Sequence, residues 1–163
     1  MGNHLRKIGI AKVNIAYFLI SKSSVAYLYD DFTFRQGLEK MRHHGYTAIP
    51  VISRDGQYVG TVSEGDFLWR ILEVNQEDEQ ASFSMREMEQ LHVHDIIHGD
   101  HHYPSVRITV SMEELLNSAM KQNFIPVVDD YNCFIGIVTR KDIIRYFADK
   151  KAADHSKPLK QII

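Results

Sequence analysis

The chain repeats itself, and this constrains its fold more than any other feature of the sequence. Ala48 to Leu68, AIPVISRDGQYVGTVSEGDFL, lies over Phe124 to Ile144, FIPVVDDYNCFIGIVTRKDII, without a gap and at a constant offset (124 − 48 = 76). Pro50 falls on Pro126, Gly60 on Gly136, Ser63 on Thr139 and Asp66 on Asp142. Upstream, TFRQGLEKMRHHG from Thr33 matches SMEELLNSAMKQN from Ser111 once two residues are dropped from the second copy. One such unit is too small to bury a comfortable fraction of its surface, so two copies are expected to pack together over a shared core.

Each copy predicts the same elements. Val25 to Tyr29 and Val106 to Val110 are short β-branched or aromatic runs and read as strands. Phe34, Leu38 and Met41 recur at helical spacing, as do Met112, Leu115, Leu116 and Ala119, with Thr33 and Ser111 as N-caps. Two strands joined by a polar turn follow, then a second helix that buries Phe67, Leu68, Ile71 and Leu72, or Ile143, Ile144 and Phe147. The expected fold class is α+β, two β-α-β-β-α units packed with pseudo-twofold symmetry. The first repeat is placed at 13–72, an acidic, solvent-facing linker at 73–92, the second repeat at 93–148 and a basic tail at 149–163.

The bulk properties narrow the function. Charged residues are 25% of the chain and nearly cancel, to a formal −2, which argues against a general nucleic-acid or membrane-surface binder. Cys133 is the only cysteine, so neither an intrachain disulfide nor a Cys-x-x-Cys pair can form; a reducing, cytoplasmic setting fits. The longest apolar run, Ile15 to Ile20, is far short of the ~20 residues that span a bilayer. The first stretch, MGNHLRKIGIAKVN, lacks the apolar core and cleavage site of a secretory leader, and Arg6 stands where a myristoylation signal wants Ser or Thr.

The shared motif is Gly-x-x-Ser/Thr-x-x-Asp: Gly60, Ser63 and Asp66, then Gly136, Thr139 and Asp142. On the residues alone, two readings stand. Ser or Thr at a strand end with an acid three places on is close to a capping box and needs no ligand. The same geometry also offers a helix N-terminus, a hydroxyl and a carboxylate, which together suit a phosphorylated sugar. A carboxylate accepting from ribose hydroxyls is one way a protein reads a nucleoside.

The doubled unit, with its Ile-Pro-Val strands and paired turns, resembles a tandem pair of CBS domains, the regulatory Bateman module. Through GYTAIPV (Gly45 to Val51) and its bare two-repeat layout it is also similar to small stand-alone CBS pairs of Gram-positive bacteria that bind cyclic di-AMP. The resemblance implies that the Ser/Thr and Asp of each motif bind the ribose of an adenine nucleotide, in clefts that draw on both repeats. One cleft would join Thr139, Arg140, Lys141 and Asp142 to Ser24, Ala26, Tyr46, Thr47 and Ala48; the reciprocal one would join Ser63 and Asp66 to Ser105, Arg107 and Phe124. Chemistry favours the first. Arg140 and Lys141 bring cations for phosphate where the second has Glu64 and Gly65, and Tyr46 offers a ring to a base.

The segment Leu91 to His102, LHVHDIIHGDHH, holds five of the nine histidines. His94, His98, His101 and His102 are possible zinc or nickel ligands, but without regular ligand spacing the segment is expected to be a solvated lead-in to the second repeat and no metal is assigned. Motifs of enzymes are missing: there is no Gly-x-x-x-x-Gly-Lys loop, His-Glu-x-x-His or Gly-x-Ser-x-Gly. The expectation is a non-enzymatic, homodimeric sensor of AMP, ADP, ATP or cyclic di-AMP that signals in trans to an effector protein. It has no cofactor beyond that regulatory ligand. The alternatives are a ligand-free scaffold and, further off, a nucleotide hydrolase.

Overall fold

The structure, a computed structural model, describes residues 13–77, 84–97 and 103–156. The readings placed on the N-terminal residues 1–12, on His98, His101 and His102, on 78–83 of the linker and on the tail after Ser156 lie outside the described residues. The element order is β1 (Ile20–Ser21), β2 (Leu28–Tyr29), α1 (Phe34–His44), β3 (Ala48–Ile52), β4 (Tyr58–Ser63), α2 (Glu64–Glu77), α3 (Met85–Gln90), β5 (Val106–Arg107), α4 (Met112–Lys121), β6 (Phe124–Val128), β7 (Phe134–Thr139) and α5 (Arg140–Ser156). Short 3-10 turns precede β1 (Ile15–Phe18) and β2 (Lys22–Ser24), and a third (Val93–Asp95) lies between α3 and β5. The fold is α+β with two small sheets, ordered β2-β3-β4 and β1-β7-β6-β5.

The repeat is obeyed down to register. β3 pairs antiparallel with β4, Ala48 opposite Ser63 and Pro50 opposite Thr61; β6 pairs with β7, Phe124 opposite Thr139 and Pro126 opposite Ile137. Each ladder shifts register at the matching step, Val51/Ile52 and Val127/Val128. The prolines are tolerated in these middle strands because the parallel partners are so short. β2 reaches only Val51 and Ile52 and β5 only Val127 and Val128, so neither proline is asked for a ladder N–H on that side. The first strands are thus shorter than Val25 to Tyr29 and Val106 to Val110. Val25 and Tyr27 pack instead between the sheets, against a buried cluster of Ile52, Tyr58, Val128 and Phe134.

Local capping follows the sequence. The Gln36 N–H donates to Thr33 Oγ1 at 3.1 Å and the Thr33 N–H to Gln36 Oε1 at 2.9 Å, a closed capping box on α1. The helix ends at Gly45, whose φ of 66° is a left-handed cap that a side chain would strain. Ser111 caps α4 by accepting the Glu114 N–H at 3.2 Å. The linker carries order of its own, since Ser84 and Glu87 form a capping box on α3. α5 runs on to Ser156, through much of the stretch expected to be a tail.

The segments leading into the repeats are exchanged. Ile15 and Phe18, at the front of the first repeat, are buried with Met112, Leu115, Ile125, Val127, Val138 and Ile143 of the second. Val93 and Ile96, at the front of the second, are buried with Leu28, Phe34, Ile49, Val62 and Phe67 of the first. β1 accordingly pairs with β7, Ser21 opposite Gly136. This exchange explains the glycine of each motif. A Cβ on Gly136 would collide with the Ile20 carbonyl oxygen, and one on Gly60 would come within 2.8 Å of Ile97 Cγ2. The two β-turns also meet at the centre, where the Tyr58 N–H donates to the Asn132 carbonyl at 3.0 Å and the Phe134 N–H to the Gly56 carbonyl at 2.9 Å.

Candidate functional site: the inter-repeat cleft

The two motif turns sit at matching places and are built alike in backbone. In each, the first helical N–H donates to the residue before the paired strand: Glu64 to the Thr47 carbonyl at 3.0 Å, Arg140 to the Asn123 carbonyl at 2.9 Å. Their side chains differ. At the start of α2 the Asp66 carboxylate accepts from the Ser63 N–H at 2.8 Å and from the Ser63 hydroxyl at 3.0 Å, while the Asp66 N–H donates back to Ser63 Oγ at 3.3 Å. The hydroxyl proton and one carboxylate oxygen are therefore engaged inside the turn. At the start of α5 the Asp142 N–H donates to Thr139 Oγ1 at 3.2 Å, but the carboxylate does not close back on Thr139; its charged neighbour is Arg145, at 3.9 Å. The Thr139 hydroxyl keeps its proton to donate, and the half-buried Asp142 keeps its oxygens to accept, beside a helix N-terminus that favours negative charge.

A cavity of about 300 Å³, within the usual range of small-molecule sites, opens next to Thr139. Ser24, Val25, Ala26, Tyr46, Ala48 and Pro50 line it from the first repeat; Asn123, Phe124, Ile137 and Thr139 line it from the second, and Ile20 from the exchanged segment. Apolar walls with a few hydroxyl and amide groups suit a flat heteroaromatic ring better than a bare ion. The Tyr46 ring is 41% exposed and stacks on His44 at 5.5 Å, with one face directed away from that partner. Ile20 also walls a second cavity of about 500 Å³, lined by Asp142, Arg145, Tyr146, Asp149 and Lys150. Thr139 belongs to the first cavity and Asp142 to the second, so this one turn stands where the two meet.

At the mirror-image position the described side chains engage one another. Gln122, which precedes Asn123 as Tyr46 precedes Thr47, is 4% exposed and donates from Nε2 to the Pro104 carbonyl at 3.1 Å. Thr61, the counterpart of Ile137, is buried and shares a 2.8 Å hydrogen bond with the Tyr58 hydroxyl, which donates in turn to the Tyr103 carbonyl at 2.6 Å. The Tyr103 ring stacks on Phe124 at 4.9 Å.

Of the residues expected in the first cleft, the structure gathers Ser24, Ala26, Tyr46, Ala48 and Thr139, with Asp142 at the rim. Thr47 contributes a backbone carbonyl to its own repeat's turn. Arg140 turns away: Nε donates to the Ala119 carbonyl at 2.6 Å and Nη1 to Asn123 Oδ1 at 3.0 Å, which ties the end of α4 to the start of α5. Lys141 is exposed beside it. Of the reciprocal set, Phe124 lines the first cleft, Arg107 lies 3.9 Å from Asp130, Ser63 and Asp66 cap α2, and Ser105 is half-buried next to β5. Ile20, Val25, Pro50, Asn123 and Ile137 were not foreseen. Strand alternation could have supplied Pro50 and Ile137, which share a strand face with the expected Ala48 and Thr139 two residues away; Ile20 depends on the exchange of lead-in segments, which leaves no mark in the sequence.

Two repeats, exchanged lead-ins and a cleft between paired turns define the class. The CBS-domain profile matches residues 19–73 and 93–149, and the chain belongs to the CBS-domain family, as a tandem pair. Among solved structures, it is similar to CbpB in complex with c-di-AMP (TM-score 0.76, 22% identity, 94% of this chain and 99% of that one). It is also similar to the CbpB protein of Listeria monocytogenes in complex with c-di-AMP (TM-score 0.74, 23% identity, 86% and 99%) and to CBSX2 in complex with AMP (TM-score 0.65, 24% identity, 85% and 98%). At these identities the likeness is one of fold. A curated relative, the L-aspartate semialdehyde sulfurtransferase of Methanocaldococcus jannaschii, is 25% identical over 108 residues, 66% of this chain; the match spans only 18% of that protein's length. Among the described residues, no helix is long and apolar enough to cross a membrane.

Proposed function

We propose that this CBS pair is a regulatory sensor that binds an adenine nucleotide, AMP, ADP, ATP or cyclic di-AMP, in the cleft at Thr139 and passes the signal to an effector protein in trans. One observation supports the reading: on one turn the Thr139 hydroxyl lines a cleft built from both repeats and the Asp142 carboxylate lines the neighbouring cavity, and the two do not close on each other as Ser63 and Asp66 do. In this reading the ribose diol donates to Asp142 and accepts from Thr139, the base lies against Tyr46, Ala48 and Phe124, and phosphate faces the start of α5 and Lys141. The c-di-AMP and AMP complexes of the CbpB and CBSX2 neighbours support the ligand class. Because the cleft is shared by the two repeats, ligand contacts favour one relative arrangement of them and shift the population toward it, which is the signal an effector reads.

The protein acts as a cytoplasmic homodimer in this proposal. Leu68, Leu72 and Ile144, expected on the buried sides of α2 and α5, are instead left exposed together with Trp69, at 41–64%, and Leu68 and Ile144 are equivalent in the repeat. A second copy is the occupant that covers matching faces on both repeats. Calorimetric titration of the purified chain with the four nucleotides tests the sensor. Saturable binding of at least one is expected, and binding of none removes the proposal. Incubation with ATP is expected to release no phosphate, while release above background would restore the hydrolase alternative. Sedimentation is expected to show a dimer that Trp69→Glu dissociates.

A further inference from the structure

We propose that His92, His94 and Asp95 form a binding site for a divalent cation of the zinc class, on the turn that leads into the second repeat. The ligand atoms are already gathered: one nitrogen of each ring and a carboxylate oxygen all lie within 4.8 Å of one another. His94 Nε2 is 3.3 Å from Asp95 Oδ1 and His92 Nδ1 is 3.9 Å from Asp95 Oδ2. A tetrahedral cation with bonds of ~2.0–2.1 Å holds its ligand atoms roughly 3.3 Å apart, so closing the set needs side-chain shifts of up to about 1.5 Å, within reach of rotations about the χ angles of exposed or half-buried side chains. Two imidazoles and a carboxylate suit zinc and its neighbours far better than calcium or magnesium, which prefer all-oxygen shells.

The orientation of His94 strengthens the case. Its Nδ1 lies 3.1 Å from the Asp30 carbonyl oxygen, an atom that can only accept, so Nδ1 carries the proton. In the neutral ring Nε2 is then a bare lone pair, and it faces a carboxylate oxygen at 3.3 Å. The contact is favourable when a positive charge lies between the two atoms, either a proton on Nε2 or a bound cation. A histidine held through Nδ1–H by a backbone carbonyl with Nε2 directed at a cation is the ordinary arrangement of a metal-binding imidazole.

The turn that carries these groups is fixed by the first repeat. Val93 is fully buried and its N–H donates to the Phe32 carbonyl at 2.8 Å; the His94 N–H donates to the Asp30 carbonyl at 3.0 Å. Thr33 and His92 form a β-bridge, and the His92 N–H donates to Asp95 Oδ2 at 2.9 Å. The rings of His92 and His94 stack in parallel, 2° apart with centroids at 5.2 Å, so one of them turns about its side-chain bonds for both in-plane lone pairs to meet one cation. The backbone holding the ligands is thus set before any cation arrives, and a bound cation reinforces the point where the lead-in segment is pinned to the other repeat.

The full chain, stripped with chelator and dialysed, is titrated with ZnCl2 by calorimetry, and its thermal midpoint is followed with and without zinc. About one equivalent is expected to bind and raise the midpoint, since a ligand of the native state stabilises it by mass action. His94→Ala and, as a variant that keeps a cap acceptor, Asp95→Asn are each expected to weaken binding by more than about tenfold. His98→Ala/His101→Ala/His102→Ala, made together, are expected to leave it in place. The inference is overturned if no zinc binds, or if the triple variant loses binding while His94→Ala keeps it.

Discussion

At the start of α2, Ser63 and Asp66 exchange three hydrogen bonds and leave the turn satisfied; at the start of α5, Thr139 and Asp142 share one, and a hydroxyl proton and a carboxylate remain for something else. The backbone frame is the same in both, down to the carbonyl that receives the first helical N–H. The difference extends outward. Gln122 is tied to the Pro104 carbonyl and Tyr103 stacks on Phe124, whereas Tyr46 and Ala48 of the first repeat line the cavity at Thr139. In the proposed reading a capping box and a ligand site are two uses of one motif. Which use prevails is decided by neighbours contributed from the other repeat, and not by the motif's own letters.

The largest effect that would sharpen this contrast concerns the motif glycines. Gly136→Ala drives a Cβ into the Ile20 backbone carbonyl, and the loss of stability is expected to reach about 3 kcal/mol or more, since backbone cannot step aside. Gly60→Ala meets only the end of the Ile97 side chain and is expected to cost clearly less. Denaturant melts of the two variants give the comparison, and equal losses would break it.

Next comes Thr139→Val against Ser63→Ala. Removing the Thr139 hydroxyl is expected to weaken nucleotide binding by roughly tenfold, the worth of a hydrogen bond of about 1.4 kcal/mol. Ser63→Ala is expected to leave affinity unchanged and to lower stability by about 1 kcal/mol through loss of its cap. The smallest expected effect belongs to Lys141→Ala. With its side chain exposed, it should leave the melt within about 0.5 kcal/mol of wild type and weaken nucleotide binding only a few-fold, more at low salt than at high. Titrations at two ionic strengths check the sign.

The repeat made the architecture legible. The two-strand-and-helix core of each unit follows from laying Ala48–Leu68 on Phe124–Ile144, and the capped first helices from laying Thr33 on Ser111. Two things were not legible, for physical reasons. Lead-in segments such as Ile15–Phe18 are apolar enough to be buried, but nothing local says in which repeat; partner choice is a long-range packing decision. Side-chain hydrogen bonding is equally non-local. Arg140, a natural phosphate ligand on charge alone, is drawn to the Ala119 carbonyl and Asn123 because α4 ends within its reach. The asymmetry between the clefts was visible as a difference in charge at Arg140-Lys141 against Glu64-Gly65, whereas in the structure it lies in the hydrogen bonds of Ser63 and Thr139 and in the contacts of Gln122 and Tyr103.

The central claim, that the two turns have parted into one cap and one ligand site, is tested most directly by calorimetric titration of Asp66→Ala and Asp142→Ala in parallel with wild type, using whichever of the four adenine nucleotides binds. The account predicts that Asp142→Ala abolishes or weakens binding by at least about tenfold with little change in melting, while Asp66→Ala melts earlier and binds as wild type does. Binding lost in Asp66→Ala and retained in Asp142→Ala would contradict it.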